Sequence, residues 1–251
     1  MVSILISGIM GHMGRNVLEL AQADSAVKVL CGVDLSAGEL CGVPVYAGFD
    51  GVAEKADVVI DFSSAANLSN VLAYAERTGA AVILAATGYT QEQLAQIGEA
   101  AKRIPLFKTA NLSVGINLLQ KLVKEAAAFL GDAFDIEIVE KHHNLKKDAP
   151  SGTALMLAES ANAAFSGEKK FTYGREGMVG ARDKREIGIH AVRGGTIVGE
   201  HEVMFAGEDE ILTLSHSARS KKVFAAGAIA AAKFMKGRPA GKYDMQDVLA
   251  Q

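Results

Sequence analysis

Two cysteines, Cys31 and Cys41, are all that this sequence of 251 residues contains. Secreted scaffolds that depend on disulfides are far denser in cysteine, and a zinc site wants closer spacing or nearby histidine partners. The pair therefore reads as two reduced thiols with no shared role. No apolar run reaches membrane-spanning length, which argues against a transmembrane helix. Surplus positive charge is also missing: the net charge is -3, whereas a nucleic-acid groove needs a concentrated basic face. Met1-Val2-Ser3 runs straight into a strand-like stretch, with no basic leader followed by an apolar segment and a cleavage site, so a cytoplasmic location is expected. What the chain does have is apolar material, 49% of its residues, enough for the cores of two medium-sized domains.

The first hundred residues alternate short apolar runs with helical stretches. Strands are expected at Val2–Ser7, Val27–Asp34, Asp57–Phe62, Ala81–Ala85 and Pro105–Lys108. Helices are expected at Asn16–Gln22, Asn67–Arg77 and Gln91–Lys102. Strands this apolar, separated by helices, suit a parallel sheet covered on both faces, a doubly wound Rossmann-type arrangement. A long helix over Val114–Leu130 then changes the pattern. Phe134–Glu140, Glu186–Arg193, Thr196–Phe205 and Ile211–Ser217 alternate apolar with polar residues, as half-wet strands do. Gly194-Gly195 reads as a two-residue hairpin turn between the second and third of them. Ser166–Arg185, rich in glycine and charge, reads as a mobile loop. The alanine-rich helix Val223–Lys236 resembles the packing helices of the first domain. The expected fold is therefore α/β: residues 1–113, completed by 222–251, form a dinucleotide-binding domain. Residues 114–221 form a second α+β domain with a mostly antiparallel sheet, serving substrate binding and oligomerisation.

The first strand runs into Gly8-Ile9-Met10-Gly11-His12-Met13-Gly14 and then a helix. Glycines at this spacing permit a tight turn, close backbone approach to a pyrophosphate, and tight helix–strand packing. The helix start then offers free N–H groups and a positive dipole end to phosphate. Asp34 closes the second strand, twenty residues after Gly14, where a carboxylate accepts from ribose hydroxyls. A 2′-phosphate would meet like charge there, and Leu35, Ser36 and Ala37 bring no arginine. NADH is therefore favoured, with NADPH the weaker alternative; a protonated His12 would partly compensate.

The densest chemistry lies in Glu140-Lys141-His142-His143-Asn144-Leu145-Lys146-Lys147-Asp148-Ala149-Pro150-Ser151-Gly152-Thr153-Ala154. Pro150 discourages helix at Ala149, and Ser151 is a suitable N-cap. A helix from about Thr153 to Ala164 would thus begin with Ser151, Gly152 and Thr153 presenting amides, with Lys146 a short loop away. That is an anion site for carboxylate or phosphate. A solvated basic turn with an ordinary cap would have the same sequence. A metal site is disfavoured, because adjacent histidines on an extended segment point oppositely and few groups nearby complete a shell. Opposite pointing suits a substrate site in which His142 and His143 have different tasks.

His142-His143-x-x-Lys146-x-Asp148-Ala149-Pro150-Ser151-Gly152-Thr153-Ala154 resembles the signature of the 4-hydroxy-tetrahydrodipicolinate (dihydrodipicolinate) reductase family. The likeness extends along essentially the whole chain. It takes in Gly8–Gly14, Asp61-Phe62-Ser63, Ala86-Thr87-Gly88, Ala110–Gly115, Gly199-Glu200-His201 and Tyr243–Leu249. The resemblance implies reduction of a cyclic imine dicarboxylate by NADH or NADPH, on the diaminopimelate route to lysine, without a metal. It implies His142 and Lys146 as the proton-donating pair, His143 as a substrate contact, and Gly152 with Thr153, at the helix start that Ser151 opens, as the carboxylate site. Gly8, Ile9, Met10, Gly11, His12 and Met13 would hold pyrophosphate and Asp34 the ribose. Ala85, Ala86 and Thr87, with Thr109, Ala110, Asn111 and Leu112, would line the nicotinamide side. His12 stands where the family usually has arginine, and Leu35 where a basic residue often follows the ribose binder. Both departures weigh against tight NADPH binding. Ala85-Ala86 replaces a common glycine–threonine pair.

Two other classes stay open on residues alone. One is another two-domain Rossmann oxidoreductase of aspartate-derived metabolites, although Cys31 and Cys41 lie too early to serve as an acyl-forming nucleophile. The other is a dinucleotide-sensing regulator, which would want a DNA-binding module. The one-sided sheet of the second domain suggests a homo-oligomer, and the resemblance suggests a tetramer.

Overall fold

A computed structural model describes residues 1–250. The chain divides into two compact units: Met1–Val114 with the C-terminal stretch from Lys222, and Gly115–Lys221.

The first unit runs β1 (Val2–Ser7), α1 (His12–Gln22), β2 (Val27–Val33), β3 (Gly38–Leu40), β4 (Val43–Tyr46), β5 (Val58–Asp61), α2 (Leu68–Thr78), β6 (Ala81–Leu84), α3 (Gln91–Ala100) and β7 (Pro105–Lys108). The second contributes α4 (Val114–Leu130), β8 (Asp135–His142), α5 (Gly152–Asn162), β9 (Lys170–Tyr173), β10 (Glu186–Arg193), β11 (Gly199–Ala206) and β12 (Ile211–Ala218). The chain then returns with α6 (Lys222–Met235), β13 (Gly241–Tyr243) and α7 (Met245–Leu249) to complete the first unit.

Eight strands of the first unit form a sheet in the order β13-β7-β6-β5-β1-β2-β4-β3. Every pair is parallel except the small hairpin β3–β4. Strand side chains alternate between two cores, as a period of two requires. Ile4, Ile6, Val58 and Ile60 join Val17 of α1 and Ala228 of α6 on one face. Leu5, Val59, Val82 and Leu84 join Leu72 of α2 and Ile97 of α3 on the other. Strand order reverses at β1, between β2 and β5, so the C-terminal ends of β1 and β5 bound the crevice where doubly wound sheets bind ligands.

The second unit's sheet has the order β12-β11-β8-β10-β9. Its β12–β11–β8 side is antiparallel and its β8–β10–β9 side parallel. Helices α4 and α5 cover one face, where Leu119, Val123 and Leu157 pack on Ile136, Ile138 and Val203. The expected Gly194-Gly195 hairpin does not form. Gly195 does take a positive φ, but β8 lies between β10 and β11, and the connection straddles its end. Gly194 donates to the His142 carbonyl at 3.0 Å and Asn144 to the Gly195 carbonyl at 3.2 Å. The stretch expected to be a loop over Ser166–Arg185 contains β9, whose pairing to β10 no short-range pattern announces. Arg175 and Arg182 fasten the rest of that stretch to Glu137 of β8.

Candidate active site

In the first unit, the turn after β1 owes its shape to glycines. Gly8 takes φ +78°, and a Cβ there would come within 2.9 Å of the Phe62 and Ser63 backbone, so the turn lies directly on the end of β5. A Cβ on Gly14 would collide with the Gly8 carbonyl and with Ile9 Cα, which lets α1 press against the turn. The side chain of Ile9 is fully buried and anchors the turn. Met10 donates its N–H to Asp34 Oδ2 at 2.8 Å, and Leu35 donates to Oδ1 at 2.8 Å. No side chain caps α1, so its first amides, at His12 and Met13, are presented to an anion. A cavity of about 580 Å³ opens beside this turn, lined among others by Gly8, Gly11, Asp34, Leu35, Ser63 and Asn67. A cradle closed to any Cβ, an uncapped helix start and a carboxylate fastened beside them fit the pyrophosphate and ribose of a dinucleotide.

Ala85–Thr87 follow β6 and Thr109–Leu112 follow β7, at the same edge of the sheet as the glycine turn. Thr109 Oγ1 donates to the Asn111 carbonyl at 3.1 Å, and Asn111 Oδ1 accepts from the Ser113 amide at 2.8 Å. Leu112 is buried, and its carbonyl leaves no room for a Cβ on Gly227 of α6. Asp61, at the end of β5, is completely buried. Burial holds its carboxyl above the ordinary value despite hydrogen bonds from Ser63 and Ser7.

In the second unit, β8 delivers Glu140 and His142 to the same face, two residues apart. His142 Nδ1 lies 2.6 Å from Glu140 Oε2. Arg193, opposite His142 in the register of β10, meets both Glu140 oxygens at 2.7 and 2.8 Å. The Ser151 amide adds a bond to Oε1 at 2.9 Å. Burial alone would raise the Glu140 carboxyl; Arg193, His142 and Ser151 outweigh it and hold it below its ordinary value. Removing one member of so buried a pair leaves an uncompensated charge, at a cost of about 3–5 kcal/mol.

The loop between β8 and α5 carries Lys146, whose Nζ pairs with Asp148 Oδ1 at 2.8 Å. His143 is half-buried, with its Nδ1 shielded and without a hydrogen-bond partner among the described residues. Ser151 sits inside rather than at the surface, 2% exposed. It caps α5 by accepting from the Ala154 amide at 3.1 Å and meets His201 Nε2 at 2.9 Å. Gly152, the first residue of α5, faces open space. Burial and the neighbouring His142 push the His201 imidazole down to about 4, so it is neutral at physiological pH. Among the described residues no group of three or more His, Cys, Asp or Glu is placed to hold a metal ion, and no helix is long and apolar enough to cross a membrane.

Comparison with known proteins covers both units of the chain. The profile described as "Dihydrodipicolinate reductase, N-terminus" matches residues 2–112, and "Dihydrodipicolinate reductase, C-terminus" matches residues 115–249. The chain belongs to the dihydrodipicolinate reductase family. It is 49% identical over 249 residues to 4-hydroxy-tetrahydrodipicolinate reductase of Caldanaerobacter subterraneus, covering 99% of this chain and 98% of the relative. The enzyme of the same name from Clostridium novyi is 43% identical, with the same coverage. A dipicolinate-bound dihydrodipicolinate reductase from a Paenisporosarcina species shares the fold. The match covers 97% of both chains, with a TM-score of 0.81 and 24% identity.

Within this family member, the structure brings His142, His143, Lys146, Ser151 and Gly152 into one neighbourhood around the end of β8 and the start of α5. Sequence reasoning assigns no role to Glu140, Arg193 or His201. Glu140 was findable: strand periodicity places it on the face of His142. Arg193 and His201 are 51 and 59 positions beyond His142 in the numbering, and only sheet pairing brings them close.

Proposed function

We propose that this protein is a 4-hydroxy-tetrahydrodipicolinate reductase of the cytoplasm, reducing a cyclic imine dicarboxylate to tetrahydrodipicolinate for lysine and diaminopimelate synthesis. One observation carries the reading: a buried histidine–carboxylate pair, a lysine and a helix start whose first residue, Gly152, faces open space are gathered on one unit of a chain that belongs to this reductase family.

A substrate carboxylate docks on the amides at Gly152 and Thr153, where the helix dipole and Lys146 both favour negative charge. His143 contacts the ring. The dinucleotide, held by Gly8–Met13 and Asp34, with Ala85–Thr87 and Thr109–Leu112 on its nicotinamide side, supplies hydride when bound. Hydride addition to a conjugated imine develops negative charge on the substrate, and His142 or Lys146 neutralises it with a proton. General acid help of this kind contributes about 10²–10⁴-fold. The charge of Asp34 beside the glycine turn favours NADH over NADPH. The test is direct: NADH absorbance falls when the cyclic imine dicarboxylate is supplied to the purified protein, and absence of any fall overturns the reading.

The assembly belongs to the same proposal. Helices cover only one face of the second unit's sheet, and Val139, Val192 and Met204 lie on the other. Sheet-to-sheet association buries such residues, and four copies are what the family resemblance implies. Light scattering on the purified protein gives the subunit number.

A further inference from the structure

One buried carboxylate holds both working parts of the second unit. Glu140 Oε2 meets His142 Nδ1 at 2.6 Å, and Oε1 accepts from the Ser151 amide that starts α5 at 2.9 Å. The Glu140 side chain is wholly buried. Arg193 closes on both oxygens and also donates to the Asp148 carbonyl at 2.7 Å. That last bond ties down the loop that carries Lys146.

A carboxylate only accepts hydrogen bonds, so the proton of the His142–Glu140 contact sits on Nδ1. Nε2 is then the atom left to exchange a proton with a substrate. We propose that Glu140 and Arg193 are a positioning pair, fixing the ring and tautomer of His142 and setting it in register with the anion-binding start of α5. The inference rests on His142 acting as the acid. Arg193 makes the arrangement tolerable: an unpaired carboxylate could not stay buried. Lysine would not replace it, having no planar fork to meet two oxygens at once. The other titratable group against His142 is His201 on β11, with ring centroids 5.2 Å apart, and the following loop carries the Lys146–Asp148 pair. Neither contacts Nδ1, so the tautomer is set by Glu140.

The test uses the full-length protein labelled with ¹⁵N-histidine, with His142→Gln to assign the signal, and needs no substrate for its first arm. At neutral pH the wild type should show His142 protonated on Nδ1. Glu140→Gln should lose that signature, and Glu140→Asp should keep it. In the second arm, Glu140→Gln and Arg193→Lys should lower kcat about 10–100-fold, the range seen when a partner that orients a ligating histidine is removed. KM should change less, because glutamine still accepts from the Ser151 amide. The alkaline limb of the pH–rate profile should move to lower pH. An unchanged tautomer in Glu140→Gln overturns the proposal. So does a kcat loss that merely follows the folded fraction, with a superimposable pH profile, since that is what a purely structural ion pair would give. If Glu140→Gln fails to fold, Glu140→Asp and Arg193→Lys carry the comparison. A wild type that shows the signature yet reduces nothing would sink the functional reading and leave the positioning pair standing.

Discussion

The Met10 amide and the Asp34 carboxylate, 24 positions apart, are joined by a 2.8 Å hydrogen bond. The glycine turn after β1 and the acidic end of β2 are therefore one piece of structure. The carboxylate has a structural duty to the turn as well as the charge proposed to face a cofactor, and substitutions can separate the two.

Asp34→Asn keeps an acceptor for Met10 and removes the charge; Asp34→Ala removes both. NADPH affinity should rise about tenfold in Asp34→Asn, equivalent to about 1.4 kcal/mol, narrowing the gap to NADH. Asp34→Ala should also weaken NADH, because the turn loses its tether. Separate fluorescence titrations with the two cofactors check this, and a wild type that prefers NADPH would contradict it.

His142→Gln should lower kcat about 10²–10⁴-fold with KM nearly unchanged, since a general acid acts mainly in the transition state. Lys146→Ala should damage both constants, because it removes a cation proposed also to bind the diacid. Steady-state kinetics separate the cases: equal losses for His142→Gln would mean a binding role.

Two glycines should behave oppositely. A methyl on Gly14 meets the rigid backbone of Gly8 and Ile9, so Gly14→Ala should lower Tm, at about 1–3 kcal/mol for such overpacking, and weaken dinucleotide binding. Gly152 faces nothing within 4 Å. Gly152→Ala should leave Tm equal or higher, as alanine suits helices better, while raising KM for the dicarboxylate. A normal KM there would place the diacid elsewhere.

Acid should loosen the stretch between β9 and β10. Burial by itself would raise Glu137, but Arg175, Arg182 and His190 hold its carboxyl down to about 2, against an ordinary 4.5. A carboxyl lowered on folding contributes stability that is fully present above its unfolded value and lost as pH falls through the folded one. Tm should therefore decline between about pH 4.5 and 2 for this reason, and Glu137→Gln should flatten that part of the curve. Thermal melts across the range, with hydrogen exchange over residues 174–185, report both.

Much was legible in the chain because it is written locally. Apolar runs and helices with a period near 3.6 are short-range patterns, and they marked β1, β2, β5, β6 and β7 of the first unit but not the short β3, β4 and β13. Gly8, Gly11 and Gly14 mark their turn within seven residues, and His142 to Thr153 keep their chemistry in one segment. Sheet pairing is different in kind. Gly194-Gly195 satisfies the backbone needs of a tight turn, yet burying Ile136 and Ile138 put β8 between the strands that turn seemed to join. The same insertion set Arg193 opposite His142 and brought His201 beside it. The sequence by itself determined most of the helices, the longer strands and the chemistry carried within single segments. Tertiary structure alone decided which charges meet, because a buried carboxylate such as Glu140 is satisfied by whatever cation the global packing brings to it.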